Sequence, residues 1–231
     1  ARISGLIMNS EGRNEYVGDE NDYQVQVIGL GVRLPVMANW DTELKLSQTR
    51  NESITISSRD QYDSKTKTAR WSNTLWAGDH EFVFGAETSQ DSIDVSRYQA
   101  PDRNNDAIFA QSQFDFGQTS LQLNLRQDRN SAYGDSTTGG VAVGYKLDDT
   151  YTLRTSYGTA FEAPTFNDLY YPNSGDPTLN ATKSDTVELG LRADYNNLYW
   201  DAAVFDASYG DLVVWSNYTG SWVAYNVDSK V

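Results

Sequence analysis

The sequence contains no cysteine and a single histidine, His80, among its 231 residues. Without cysteine there is no disulfide framework, no thiolate metal site and no thiol nucleophile. His80 lies in the short polar stretch AGDHEF, where a turn is expected, so histidine-based catalysis has little support. No run of about 18 apolar residues occurs, which excludes a transmembrane helix. The formal net charge of −14 argues against nucleic acid as a partner, because phosphate contacts need clustered Lys and Arg.

The sequence is rich in aromatic residues although the chain is hydrophilic overall. It contains 15 Tyr and 6 Trp, although its mean hydropathy is −0.60 and only 39% of its residues are hydrophobic. A soluble globular protein of this size needs a thick apolar core and normally has a larger apolar share. A transmembrane β-barrel has one apolar face, one polar face and interfacial belts of Tyr and Trp, and this composition is typical of it.

Apolar and polar residues alternate with a period of two along most of the chain, which predicts β-strands. In residues 119–128 one face carries Leu121 and Leu123, and the other carries Gln122 and Asn124. The other clear examples are residues 40–49 and 186–195. Alternation alone suits two structures: a soluble β-sandwich with its apolar face in a core, and a membrane barrel with its apolar face in lipid.

The connections between the predicted strands alternate in length. Five are tight, at Pro35–Asn39, Ala77–His80, Gly117–Gln118, Asp148–Asp149 and Asn196–Asn197. Every second connection is longer, covering residues 51–67, 90–106, 129–139 and the stretch after Gly158. If successive strands run up and down, the tight turns collect at one end and the long loops at the other, as in transmembrane barrels. The sequence therefore predicts an all-β, antiparallel up-and-down transmembrane β-barrel.

The pattern gives about twelve strands, the first near Ile3–Met8 and the last near Trp222–Val227. Segments such as Tyr23–Leu34 and Thr119–Arg129 are long enough to cross the hydrocarbon at a tilt. Aromatic residues gather near the predicted strand ends, where an interfacial girdle is expected. They are Tyr16, Tyr23, Trp40, Trp71, Trp76, Tyr195, Tyr199, Trp200, Trp215 and Trp222.

Both ends of the chain fall inside the strand pattern. Ala1 begins within a strand, without a charged and apolar leader, so a signal peptide is expected to be absent or removed. An open sheet edge is costly in hydrocarbon, so the strands must be closed somewhere. The chain therefore either closes as a small barrel or is a piece of a larger one, and the ragged ends favour the piece.

Residues 157–191 resemble a recurring segment of the TonB-dependent outer-membrane receptors. The motif residues are Tyr157–Gly158, Phe161, Ala163–Pro164, Leu169–Tyr170, Asp176–Pro177, Leu179, Lys183–Ser184 and Glu188–Leu189–Gly190. One departure is Ala181–Thr182, where the family usually has Pro-Glu. Residues 202–231 are similar to the next hairpin of that family. The resemblance is specific over residues 151–231 and generic for the alternating strands before them.

The resemblance implies a barrel of about 22 strands with a plug domain in its lumen. Residues 1–231 would then be part of a single barrel domain, and the plug, a short TonB-binding box and the C-terminal strands would lie outside this chain. Such receptors take up scarce, large nutrients across the bacterial outer membrane. The cobalamin (vitamin B12) receptor branch is the most similar, and ferric-siderophore receptors share the same segment.

The resemblance also implies partners: outer-membrane lipid and lipopolysaccharide, TonB through the N-terminal region, and the nutrient itself. Two other classes are alternatives to this one, a soluble β-sandwich and an unrelated outer-membrane barrel of about twelve strands. A barrel enzyme needs a convergent Ser/His/Asp set near its rim, which His80 in a tight turn does not supply. The protein is therefore not expected to be an enzyme.

Within such a barrel, the polar face of the strands lines the lumen. The residues expected there are Asp41, Glu43, Gln122, Asn124, Arg126, Glu188, Arg192 and Asp194. Ligand contact is expected from the long connection after Gly158, because flat aromatic side chains suit a macrocycle or an iron chelate. The candidate ligand-binding residues are Phe166, Tyr170, Tyr171 and Asn173.

Calcium is the one candidate cofactor. Asp102, Asn104 and Asp106 stand at alternate positions and form a partial set of oxygen ligands. Neither a glycine turn nor a closing bidentate Glu follows at the spacing of an EF-hand, so that motif is excluded. The resemblance to cobalamin receptors, which hold calcium on acidic outer loops, supports a calcium site here. The alternative is that these residues bind no metal and are solvated charges of a loop that faces lipopolysaccharide.

Overall fold

The computed structural model describes residues 1–16, 18–195, 197–217 and 220–231. Its strands are β1 (Arg2–Tyr16), β2 (Asp19–Met37), β3 (Trp40–Thr55), β4 (Gln61–Ala77), β5 (His80–Val95), β6 (Arg103–Asp115), β7 (Thr119–Asn130), β8 (Gly134–Lys146), β9 (Tyr151–Glu162), β10 (Thr182–Asp194), β11 (Tyr199–Ser216) and β12 (Val223–Lys230). A short helix, α1 (Phe166–Tyr170), lies between β9 and β10. Within the described ranges, no helix is long and apolar enough to cross a membrane.

All twelve strands form one antiparallel sheet in which each strand pairs with its neighbours in sequence. This order confirms the predicted up-and-down architecture and the predicted number of strands. In the described part of the chain, β1 pairs only with β2, and β12 pairs only with β11. The twelve strands therefore form an open wall and do not close as a small barrel by themselves.

The pairing register gives the wall two chemically different faces, because residues directly opposite in neighbouring strands point to the same side. Leu30 pairs with Leu46, and Leu123 pairs with Val141, so these residues lie on one side, here called the apolar face. Its side chains are uncovered, with Ile108 64% and Leu125 59% exposed. Among the described residues, the extensive contacts between strands are all between sheet neighbours, so no second layer covers this face. Such a surface is suited to lipid, and a soluble sandwich is excluded.

The opposite side, here called the polar face, carries a series of ion pairs. All eight residues predicted to line the lumen lie on it, as their pairing partners show. Arg126 donates to Asp128 and, across the intervening strand β6, to Glu87 at 2.9 Å. Arg33 donates to Asp41 at 2.7 Å. These pairs bring opposite charges together on the polar face, where bare carboxylates would repel one another.

The apolar face is apolar only near the tight-turn end of the wall. In β2, Ile28, Leu30 and Leu34 are followed towards the other end by Gln26 and Gln24 on the same face. We call the end with the tight turns the lower end and the opposite end the upper end. Above the apolar band both faces of strands such as β4 are mainly polar, so the upper strands stand outside the hydrocarbon.

The prediction of three of the long loops at the upper end is wrong, because the strands continue there. Residues 51–67, 90–106 and 129–139 are mostly strand, and the true connections are residues 56–60, 96–102 and 131–133. The sequence pattern fails there because a strand wetted on both faces needs no apolar residue; its backbone pairing alone holds it in the sheet. The tight turns lie where they were predicted, except that Asn196 is outside the described residues.

The aromatic girdle is only partly as predicted. Trp40 lies on the apolar face at the lower end, and its indole donates to Asn73 at 3.1 Å. Trp76 instead lies on the polar face, where its indole donates to Glu81 and Arg33 sits 5.7 Å from the ring centroid. Trp215 is at the upper end and belongs to the loop cluster described below. Strand-end position alone does not tell which face an aromatic residue occupies.

Gly190, the glycine of the Glu-Leu-Gly motif, makes room for an arginine on the polar face. A Cβ at this position would lie 2.5 Å from Arg154 Nε, because the Arg154 side chain crosses β10 above Gly190. By this route the guanidinium reaches Asp201 on β11 at 2.6 Å. The glycine thus leaves room for a side chain from the neighbouring strand.

We expect Gly190→Val to displace Arg154 and break its ion pair with Asp201. In the wild type, Asp201→Asn should lower the free energy of unfolding by up to about 1 kcal/mol, the upper range for a solvent-accessible pair. In the Gly190→Val background the same substitution should have almost no effect. A double-mutant cycle from denaturant titrations measures this coupling, and equal effects in both backgrounds would contradict the assignment.

Candidate functional site

The connection between β9 and β10, residues 163–181 and here called the rim segment, folds into a defined structure. Its helix α1 begins after Thr165, whose hydroxyl accepts from the backbone N–H of Asp168. The Asp168 carboxylate in turn accepts from the Thr165 backbone N–H at 2.7 Å, which completes a capping box. Gly175 then folds back onto the helix, since a Cβ there would lie 2.7 Å from the Tyr171 nitrogen. The capping box and the fold-back at Gly175 together hold this single turn of helix in place.

One side of the rim segment is attached to β5 and β6. Arg103, at the start of β6, donates from Nη1 to the Pro164 carbonyl at 2.7 Å and places its guanidinium 4.9 Å from the Phe166 ring centroid. The hydroxyl of Tyr98, in the β5–β6 connection, donates to Asn167 Oδ1 at 2.6 Å. Burial raises the pKa of Tyr98, so the phenol stays protonated and can donate. Arg103 also faces Asp91 on the polar face, which puts the rim segment on that side of the wall.

The other side of the rim segment is attached to β11 and β12. The indole of Trp215 donates to Asp168 Oδ1 at 2.6 Å. Leu169 and Leu179 pack with Ala224 of β12 in the main buried apolar cluster of the described residues. Asp168 is only 9% exposed, yet both carboxylate oxygens have donors. A buried carboxylate that is fully hydrogen-bonded fixes the position of its partners.

A polar clasp, formed by Asn180, Asp211 and Asn226, ties the end of the rim segment to a bulge in β11. Asp211 has φ of 55°, and the register between β11 and β12 shifts beside it. Asn226 Nδ2 donates to the carbonyls of both Asp211 and Asn180, and its Oδ1 accepts from the Asn180 N–H. The amide side chain therefore replaces the strand pairing that the bulge interrupts.

Together these contacts hold the rim segment across the upper end of the polar face, from β5–β6 on one side to β11–β12 on the other. The same contacts divide the four predicted ligand-binding residues into two that are enclosed and two that are exposed. Phe166 is 7% exposed beneath Arg103, and Tyr170 is half-buried beside Tyr98. Tyr171 and Asn173 are exposed, and Asn173 has φ of 62°. The first two residues thus build the segment, and the last two are presented to solvent.

A charged pair lies near the exposed side of the rim segment. Arg97, in the β5–β6 connection, donates to Asp60, in the β3–β4 connection, from Nε at 2.7 Å. This hydrogen bond lowers the pKa of Asp60 and raises the pKa of Arg97. The Tyr171 side chain contributes to the raised pKa of Arg97 as well. The upper end therefore offers a phenol, an amide and a guanidinium, groups that can stack on and hydrogen-bond to a large polar ligand.

The predicted calcium residues lie on a different surface. Asp102 precedes β6, and Asn104 and Asp106 follow at alternate positions on its apolar-face side. Calcium takes about six to eight oxygen ligands, more than these three side chains supply. Among the described residues, no group of three or more His, Cys, Asp or Glu side chains is arranged to hold a metal. These three residues do not fit one calcium ion without ligands from another segment.

Four residues at the rim were not predicted as site residues: Tyr98, Arg103, Asp168 and Trp215. Only Asp168 had a local signal, because a Thr followed three residues later by an acid is a capping-box pattern. The others come from connections or strands far away in sequence and meet only through the strand order. Their convergence is a property of the sheet, which single-segment patterns do not contain.

The two-faced wall, its uncovered apolar band and its upper polar strands define a transmembrane β-barrel protein of the bacterial outer membrane. Residues 9–231 match the family model described as TonB dependent receptor-like, beta-barrel. The chain therefore belongs to the TonB-dependent receptor family. This membership confirms the resemblance carried by residues 157–191 and excludes an unrelated barrel.

Several named proteins are similar to this chain. The chain is 29% identical over 199 residues to the vitamin B12 transporter BtuB of Photobacterium profundum, an alignment that covers 81% of this chain and 33% of that protein. It is similar to the crystal structure of the siderophore receptor PirA from Pseudomonas aeruginosa, with a TM-score of 0.80, 14% identity, and coverage of 99% of this chain and 48% of that one. It is also similar to the copper transporter OprC, with a TM-score of 0.80, 18% identity, and coverage of 99% and 45%. The chain thus spans about a third of the length of its curated relative.

Proposed function

We propose that this chain contributes wall and upper loops to a TonB-dependent transporter that imports cobalamin. The observation that carries the proposal is the rim segment, which is anchored on both sides and presents Tyr171 and Asn173 above the polar face. A preformed aromatic and amide surface suits a flat, hydrogen-bonding macrocycle, because little ordering is needed on binding. The vitamin B12 transporters among the sequence relatives support this cargo.

The remaining parts of the proposed transporter are those that the family resemblance implies. A plug domain would fill the lumen of a barrel of about 22 strands, and TonB would engage an N-terminal box. The ion pairs of the polar face would meet the plug and the passing ligand. This role is one of capture and passage and involves no bond chemistry by the residues of the wall.

A ferric siderophore is the second candidate cargo. The structural similarity to a siderophore receptor favours it, although at 14% identity that similarity concerns the fold. Arg97 at the upper end gives a physical reason, since a guanidinium attracts an anionic iron chelate. Its pairing with Asp60 removes part of that attraction, so the neutral macrocycle remains the preferred ligand.

Equilibrium binding to the complete receptor tests the cargo. We expect cyanocobalamin to bind and ferric enterobactin not to bind at the same concentrations. Tyr171→Ala should weaken cyanocobalamin binding by about tenfold, the loss typical of a contacting aromatic residue. Tyr145→Ala, which removes a similarly exposed tyrosine near the lower end, is the matched control and should leave affinity unchanged. Binding of the ferric chelate alone would reverse the assignment.

Calcium enters the proposal only as a cation held at Asp102, Asn104 and Asp106. Since these residues alone do not complete the coordination of one ion, the proposal requires further oxygen ligands from another loop. Repeating the cyanocobalamin titration with calcium and with a chelator tests it. An Asp102→Asn, Asp106→Asn double variant that keeps the calcium effect would remove these residues from consideration.

A further inference from the structure

Arg97, in the β5–β6 connection at the upper end, uses only one edge of its guanidinium. Nε donates to Asp60 Oδ2 at 2.7 Å, and Nη2 donates to the same oxygen. Within the ranges that the structure describes, Nη1 has no hydrogen-bond partner, and the side chain is 48% exposed. Asp60 therefore holds one edge of the guanidinium, and the edge that carries Nη1 is left open to a ligand.

The backbone that carries Arg97 and Asp60 is fixed at both residues. Beside Arg97, the Ser96 N–H donates to the Gln61 carbonyl at 3.1 Å, and the Ser96 hydroxyl oxygen accepts from the Gln61 N–H at 2.6 Å. The Asp60 carbonyl accepts from the Thr55 N–H at 2.9 Å. The two charged side chains thus extend from connected, hydrogen-bonded backbone. Little ordering is needed when such a guanidinium binds a ligand.

The position of Arg97 is next to the exposed part of the rim segment. The following residue, Tyr98, donates to Asn167 of α1 at 2.6 Å, and its ring centroid lies 6.3 Å from that of Tyr170. Tyr171 follows Tyr170 in the chain. The pKa of Arg97 is raised first by the hydrogen bond to Asp60 and then by the Tyr171 side chain, which shows that the two groups are neighbours. Arg97 and Tyr171 therefore border the same exposed surface.

We propose that Arg97 is a specificity-determining residue and that the open edge of its guanidinium binds a phosphodiester group of the imported nutrient. The inference rests on the proposed function, in which the cargo is cobalamin. Cyanocobalamin is neutral overall, but it contains one phosphodiester, which joins its nucleotide to the corrin macrocycle. Tyr171 then contacts the macrocycle, and Arg97 donates to a phosphodiester oxygen.

The chemistry of Arg97 suits a singly charged phosphodiester better than a highly charged anion. A guanidinium is a preferred donor to phosphate oxygens, with which it forms short, charge-assisted hydrogen bonds. Asp60 cancels much of the charge that Arg97 presents at longer range, but the donors at the open edge remain. The net charge of −14 further disfavours a multiply charged anion. The site therefore selects for a hydrogen-bonding group with little net charge to attract.

Two corrinoids separate the phosphodiester from the macrocycle. Dicyanocobinamide keeps the corrin macrocycle of cyanocobalamin and lacks the phosphodiester and the nucleotide. In equilibrium binding to the complete receptor, Arg97→Gln should weaken cyanocobalamin binding by about tenfold, the loss of one charge-assisted hydrogen bond. Binding of dicyanocobinamide should be unchanged, which also shows that the variant keeps its binding surface.

Arg129→Gln is the matched control. Arg129 is likewise an exposed arginine at the upper end that pairs with an acid, Asp135 at 3.6 Å, but it lies on the apolar-face side of the wall. The substitution removes the same charge from the receptor. We expect it to leave the affinities for both corrinoids unchanged.

Salt dependence distinguishes a charged contact from a structural role of Arg97. In the wild type, added salt should weaken the binding of cyanocobalamin more than that of dicyanocobinamide, because only the first ligand has an ion pair to screen. In Arg97→Gln this difference between the two ligands should disappear. A residue that only supports the fold of the loop would not produce it.

The outcomes separate this inference from the proposed function. Failure of both corrinoids to bind the wild-type receptor would overturn the cobalamin cargo and the inference with it. If cyanocobalamin binds, three results overturn the inference alone: an unchanged affinity in Arg97→Gln, an equal loss for both corrinoids, or the same selective loss in Arg129→Gln. The first two would show that Arg97 does not contact the phosphodiester, and the third would show an effect of general charge.

Discussion

Replacing Leu123 by arginine is expected to destabilise the barrel by about 2–4 kcal/mol, the cost of a cation near the bilayer midplane on a lipid-facing strand position. Leu123 is in the middle of the apolar run of β7 and points to the uncovered face, opposite Ser112 and Val141. In lipid the guanidinium has neither water nor a carboxylate partner there. The loss should appear in denaturant titrations of the complete receptor refolded into vesicles, and as less receptor in the outer membrane.

The neighbouring residue provides the control. Gln122 points to the polar face, next to Gln113, where an added arginine reaches water and carboxylates. Gln122→Arg should therefore change the free energy of unfolding by no more than about 0.5 kcal/mol, as expected for a surface substitution. The two variants differ by one position and carry the same new charge. If both cost the same, the assignment of the two faces is wrong.

The faces and the strand number were predictable from the sequence because both depend on a period of two. Leu121, Leu123 and Leu125 alternate with Gln122 and Asn124, and one apolar side is enough to fix which way each side chain points. The tight turns at Gly78 and Gly117 were readable for a similar reason, since each glycine has positive φ. Local chemistry determines these features completely.

The distance by which the strands extend above the apolar band was not predictable from this alternation. Lys65 and Lys67 belong to the upper part of β4, where both faces are polar, and polarity on both faces is also typical of a loop. What keeps them in a strand is pairing with β3 and β5, which lie outside the local window. The alternation stops where the lipid stops, while the sheet continues.

Sequence-based prediction of the candidate site in the rim segment is limited in the same way, because it depends on distant strands. The aromatic residues of the β9–β10 connection were visible, but their roles were not, because exposure depends on partners from distant strands. Phe166 is covered by Arg103, and Tyr171 stands beside Trp215, 6.4 Å between ring centroids. The strand order places β6 and β11 at the two sides of the rim segment. A single segment cannot show which of its aromatic residues will be enclosed by such neighbours.

The anchors on both sides make the rim segment a rigid element of the upper wall. Each anchor joins a charged or buried polar group to a defined partner: Arg103 with the Pro164 carbonyl, and Trp215 with Asp168. Hydrogen bonds to charged groups contribute about 1.5–3 kcal/mol each, more than neutral ones. The exposed residues between the anchors are therefore held ready for a ligand.

Asp168→Ala is expected to release one side of this segment. The substitution removes the acceptor for the Thr165 N–H and hydroxyl and for the Trp215 indole. Loss of the cap and of the charged hydrogen bond together should cost about 3 kcal/mol locally. Hydrogen exchange of residues 166–176 in the complete receptor should then accelerate by about a hundredfold. Exchange in strands β7 and β8 should be unchanged.

Asp135→Ala is the matched control, because Asp135 is an exposed acid at the upper end of β8 and should leave the exchange of the rim segment as it is. Trp215→Phe should reproduce part of the Asp168 effect, since it removes one of the three donors and keeps an aromatic ring. In the double variant the two losses should be less than additive, because both remove the same hydrogen bond. Additive losses, or protection of residues 166–176 that survives Asp168→Ala, would show that Asp168 does not hold the segment in place.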